Sequence, residues 1–120
     1  MGDLTASFDK SEFTCKCGHC DGGLMAPAFM VRLEKLRNLF GKPIRINSGY
    51  RCVVHNKAVG GVGGSMHLLG RAADLAVSSD ADRYQLLRLA TGLGFGGVGI
   101  LKDALHVDDR DRQAAWTYYK

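Results

Sequence analysis

Three side chains suited to holding a metal mark this chain. His67 and Asp74 lie seven residues apart in Ser65-Met66-His67-Leu68-Leu69-Gly70-Arg71-Ala72-Ala73-Asp74, and His106 follows in Leu105-His106-Val107-Asp108. Two neutral imidazoles and a carboxylate suit a catalytic zinc, which keeps its fourth position for water. His67 and Asp74 are too far apart to share one helical face, so the spacing predicts a loop ligand followed by a strand ligand. His106 and Asp108, two apart, leave the same face of a strand. Asp74 and His106 converge if strands over 72–77 and 104–108 are neighbours. Any single His is more often an ordinary polar surface residue. A His inside an otherwise apolar strand needs a reason to be polar.

A second constellation is sulfur. Cys15, Cys17 and Cys20 fall within six residues, and Cys52 stands alone further on. Together, or with His19, they form a candidate structural zinc site. A disulfide to Cys52 and free thiols are the alternatives. The N-terminus, Met1-Gly2-Asp3-Leu4-Thr5, shows no basic region followed by an apolar one. Synthesis in the cytoplasm is therefore expected, which makes a disulfide framework the weaker reading.

The elements that must position these residues can be read in order. Residues 1–12 are polar and expected to be a short lead-in, and 15–23 a compact loop. Pro27 opens a helix whose Phe29, Met30, Leu33, Leu36, Leu39 and Phe40 recur at helical spacing; Gly41 and Pro43 end it. Ile44-Arg45-Ile46-Asn47-Ser48 alternates like a strand, and Val53–Val59 is expected to make one or two helical turns. Gly60-Gly61-Val62-Gly63-Gly64 is a loop leading to His67, and 72–77 a central strand. Ser78 or Ser79 caps a helix with Tyr84, Leu86, Leu87, Leu89 and Ala90 on its buried face. Strands over 97–101 and 104–108 follow around a turn at Lys102-Asp103, and Trp116 to Tyr119 form an edge strand or a cover. The expected class is α+β in one domain over 1–120: a small antiparallel sheet with helices packed on one side.

Several of these residues carry a resemblance. Ser48-Gly49-Tyr50-Arg51, His55-Asn56, Val59-Gly60-Gly61, Ser65-x-His67-x-x-Gly70-x-Ala72-x-Asp74, Gly97-x-Gly99 and His106-Val107-Asp108 resemble the zinc D-Ala-D-Ala carboxypeptidases. That family includes phage endolysins and L-alanyl-D-glutamate endopeptidases and shares its fold with hedgehog signalling domains. The resemblance spans about residues 8 to 112. It implies zinc on His67, Asp74 and His106, with Arg51, Ser65 and Tyr50 on the substrate side. It also implies that a carboxylate moves the proton of the attacking water. Asp103, three before His106, and Asp108, two after it, compete for that role. Strand alternation favours Asp108 at the metal face, as base or as a group orienting a ligand.

The chain has 120 residues and a formal charge of +4, with a pI of about 9.0, which suits an anionic cell wall. Peptidoglycan peptides are the expected partners of a monomer, reached after release by a separate membrane-permeabilising partner. A zinc-retaining module that binds without cleaving is the alternative. Nucleic acid is not expected: aromatics are 8% and no helix is dense in Lys and Arg. No apolar run approaches the roughly 20 residues needed to insert into a membrane.

Overall fold

The computed structural model describes residues 2–61 and 63–117. Helix α1, Pro27–Phe40, starts with Pro at its first position and stops at Gly41, whose φ of 78° is the left-handed conformation glycine adopts without a Cβ penalty. Phe29, Met30, Leu33 and Leu36 are buried along one stripe. Leu39, at the same spacing, is exposed, contrary to the sequence expectation. The short helix α2, Val53–Ala58, follows, and α3, Asp80–Gly92, is capped by Ser79, whose Oγ accepts the Asp82 N–H at 3.1 Å. Leu86 and Ala90 are buried on α3, but Tyr84 is 65% exposed, contrary to the sequence expectation. Residues two apart on a helix point about 200° from each other, so turning Leu86 inward sends Tyr84 out.

Five strands make one sheet: β1 (Ile46–Ser48), β2 (Ala72–Ala76), β3 (Gly97–Ile100), β4 (Ala104–Asp108) and β5 (Ala114–Thr117). Their spatial order is β1-β2-β4-β3-β5. The chain is thus α+β, as its sequence implies. Three of the strand pairs are antiparallel, while β5 runs parallel to β3. The chain leaves β4 and passes β3 to reach its open edge, so β5 runs in the β3 direction. Tyr118 and Tyr119 lie outside the described residues.

Side-chain alternation divides the sheet into two working faces. Ala73, Leu75, Val98, Leu105 and Val107 join Phe29, Met30, Leu33, Leu36, Leu86 and Ala90 in the core beneath α1 and α3. The opposite face carries Asp74, His106 and Asp108. The N-terminal segment is more than a polar lead-in. Phe8 and Phe13 are buried with ring centroids 5.5 Å apart, around a 3-10 turn at Lys10–Glu12. Glu34 of α1 holds this segment by accepting from Thr5 Oγ1 (2.6 Å), Ser7 N (2.8 Å) and Ser7 Oγ (2.6 Å). No described helix is long and apolar enough to cross a membrane.

Candidate metal centre

His67 sits in a 3-10 turn, Met66–Leu69, started by Ser65, whose Oγ accepts the His67 backbone N–H at 3.2 Å. Gly70 ends the turn at φ +68°, and a Cβ there would fall 2.2 Å from the Leu24 carbonyl oxygen. This position therefore takes only glycine, and from it the chain enters β2. Within the sheet, Asp74 pairs directly with His106 across β2 and β4, so the register alone brings these two side chains together.

The polar atoms then converge. His67 Nδ1 lies 2.6 Å from the Gly49 carbonyl, which can only accept, so Nδ1 carries the proton and Nε2 the lone pair. That Nε2 faces Asp74 Oδ1 at 3.3 Å and is buried without a hydrogen-bond donor. His106 Nε2 meets Asp108 Oδ2 at 2.7 Å, and its Nδ1 faces Asp74 Oδ1 at 3.0 Å. Ligand atoms of His67, Asp74 and His106 all lie within 4.8 Å of one another. Three acceptors aimed at one point repel unless a cation sits between them. The N, N, O donor set fits zinc.

Burial works to raise the Asp74 carboxyl, but the facing imidazoles of His106 and His67 outweigh it and hold it below the usual carboxylate range. Burial likewise works against charge on His106, yet Asp108 and Asp74 outweigh it and raise the imidazole. Asp108 is fully buried. Its Oδ1 accepts from Arg110 Nε (2.9 Å) and N (3.1 Å), and its Oδ2 from Arg110 Nη2 (2.7 Å) as well as His106. These bonds overcome burial and keep Asp108 ionised well below its ordinary pKa. β3 leaves room for the pair: a Cβ on Gly97 would lie 2.2 Å from Asp108 Oδ1 and 2.5 Å from Arg110 Nε.

A cleft of about 680 Å³ opens over these three side chains, enough for a short stretch of peptide. Arg51, Ser65, Lys102, Arg110 and Trp116 line it, with glycines 60, 61 and 64 on one rim. Arg51 donates its backbone N–H to His67 O at 3.1 Å, and its buried Nε has no partner among the described residues. Trp116 stacks beside His106 (5.2 Å between ring centroids) and under the Arg110 guanidinium (4.5 Å).

Three further candidate residues, Asp103, Asp108 and Tyr50, do not line the cleft. Asp103 is exposed in the β3–β4 turn and lines a different depression, near Lys42 and Asp82. Three residues along a strand change its face, so Asp103 cannot share the side of His106. Asp108 shares that side, but both oxygens are occupied by His106 and Arg110 and it does not line the cleft. It is thus placed to orient His106, one of the two roles its spacing allowed. Tyr50 packs on Gly23, where a Cβ would fall 2.2 Å from its ring, and does not line the cleft either. Sequence reasoning also overlooked the Gly49 carbonyl, Trp116 and Arg110. Only Arg110 left a signal: it continues the alternation 106, 108, 110.

The four cysteines form a second group, their sulfurs within 4.8 Å of one another. The backbone N–H groups of His19 and Cys20 pull the Cys17 thiol down to about 6. The Gly22 N–H works the same way on Cys20, but the crowded sulfurs of Cys17 and Cys15 outweigh it and push that thiol up to about 12.

Comparison with known proteins agrees with this geometry. The family model for Peptidase M15 matches residues 6–108. A zinc D-Ala-D-Ala carboxypeptidase from Streptomyces albus G is 45% identical over 51 residues, which is 42% of this chain. The matched segment covers 20% of that relative's length.

Proposed function

The chain belongs to the peptidase M15 family, and from that premise we propose that it is a zinc-dependent peptidase acting on peptidoglycan stem peptides or their cross-links. The observation that carries this reading is the His67 imidazole. Its Nδ1 is tied to Gly49, and its buried Nε2 aims at Asp74 with no donor to satisfy it. His67, Asp74 and His106 would hold the zinc. Zinc supplies a Lewis acid that polarises a peptide carbonyl and lowers the pKa of its water toward about 7.

The chain's own residues would do the rest. Arg51 offers a planar fork to a substrate carboxylate or carbonyl. Ser65 already accepts one N–H, leaving its O–H free to donate into the cleft. Asp108, held by Arg110, fixes the ring of His106 and raises its basicity as a ligand. A free D-Ala carboxylate at the end of a stem peptide matches Arg51, as the name of the Streptomyces relative suggests. The +4 charge favours encounter with an anionic wall. We take the protein to act there as a monomer, in the manner of an endolysin that a separate partner releases.

Among the described residues, Asp74 is the one carboxylate that lines the cleft. That observation sustains a second reading, a zinc-retaining module that binds the same peptides without cleaving them. Zinc-loaded protein incubated with purified muropeptides and followed by mass spectrometry tests both. Cleaved stem peptide is the expected product, lost in His67→Ala together with the metal. Binding without any product supports the second reading, and neither binding nor product overturns both.

A further inference from the structure

We propose that Cys15, Cys17, Cys20 and Cys52 hold a second zinc ion, structural in role, which ties the N-terminal loop to the turn carrying Arg51. A tetrahedral zinc with Zn–S bonds of about 2.3 Å separates its sulfurs by about 3.8 Å. All four sulfurs lie within 4.8 Å of one another, as such a site requires. All four are free thiols, close enough to converge on one ion.

Each sulfur also accepts a backbone N–H. Cys15 Sγ accepts from Cys52 N at 3.3 Å, and Cys52 Sγ from His55 N at 3.4 Å. Cys17 Sγ accepts from His19 N (3.2 Å) and Cys20 N (3.3 Å), and Cys20 Sγ from Gly22 N (3.3 Å). Backbone donors aimed at sulfur favour the thiolate, the form that binds metal. The chain turns tightly to achieve this, with left-handed φ values at Gly18, Gly22 and Gly23.

The loop buries little side-chain surface of its own. Between the buried Phe13 and Met25, residues 14, 16, 18–21 and 24 are exposed. An ordered loop without a core of its own is where a structural metal contributes most to folding. The fourth ligand is also well placed to matter. Cys52 follows Arg51 directly and caps α2, while Arg51 N is bonded to His67 O. A metal on Cys52 would therefore fix the backbone from which Arg51 enters the cleft.

The test uses the full chain prepared under reducing conditions. Metal analysis is expected to give near two zinc per chain for the wild type and near one for His67→Ala. Cobalt substitution of His67→Ala should keep a thiolate-to-cobalt charge-transfer band in the near ultraviolet, which a His, His, Asp site cannot produce. Cys20→Ser should weaken or lose that band; Cys20 is exposed, so the change disturbs packing least. As a check independent of that variant's folding, zinc should shield the wild-type thiols from alkylation until a chelator is added. A cobalt-loaded His67→Ala without the band overturns the proposal, as does an intact mass two hydrogens short per cysteine pair. Failure here leaves the His67 site and its peptidase reading untouched, because that variant separates the two metals.

Discussion

Asp108 lies one shell outside the three ligands, and both of its oxygens are spent on His106 and Arg110. Its removal should therefore appear first in metal binding. Asp108→Asn is expected to weaken zinc affinity about 10–100-fold, read by competition with a chromophoric chelator, with the far-ultraviolet spectrum unchanged. Gly97→Ala should act in the same direction by pushing its Cβ into the space of Asp108 Oδ1. Gly92→Ala is the contrasting case. A Cβ there meets nothing within 4 Å, so denaturant unfolding should show a gain of about 0.4–1 kcal/mol from the less flexible unfolded chain. The convergence of His67, Asp74 and His106 was legible in the sequence because their types are chemically unusual for where they stand. Asp103 was a candidate through the resemblance alone, and the strand alternation that favoured Asp108 turns Asp103 to the other side. The Gly49 carbonyl was invisible because a backbone acceptor has no letter in the sequence.

The N-terminal segment is held to α1 through one side chain, Glu34. Burial works to raise the Glu34 carboxyl, but the hydroxyls of Ser7 and Thr5 outweigh it and lower the pKa. A carboxyl whose folded pKa is depressed contributes stability above its unfolded value and loses it as pH falls through the folded value. Stability from this clasp should thus be constant near neutrality and decline in the acid range below the ordinary glutamate pKa. Glu34→Gln should flatten that decline and cost about 1–2 kcal/mol at pH 7, measured by urea unfolding at a series of pH values. The clasp was not legible, since it joins residues 27 to 29 positions apart through local turns. Helix α1 was, because Pro27, Gly41 and four buried apolar positions all agree on its limits and its face. Strand β1 was expected two residues longer than it is, and the direction of β5 depended on a crossover that no local pattern encodes.

At the scale of the molecule, the metal and the fold share one structure. If zinc binds the folded chain alone, removing it from a solution at about 100 times its Kd should cost about 2.7 kcal/mol. Calorimetry with and without a chelator checks this, and the melting temperature should rise with zinc concentration in His67→Ala through the cysteine site and rise further in the wild type, which holds both ions. The α+β class and the strands of the site were legible because alternation marks both faces of β2 and β4. The same alternation constrains how the protein can change. Leu75 and Leu105 seal the core from the strands that present Asp74 and His106 to the cleft. Libraries that vary these strands would therefore lose folded protein before finding new specificity. Residues 59–61, 64, 101 and 102 also line the cleft but belong to neither strand. Diversity placed there can reshape substrate preference while the scaffold is inherited intact.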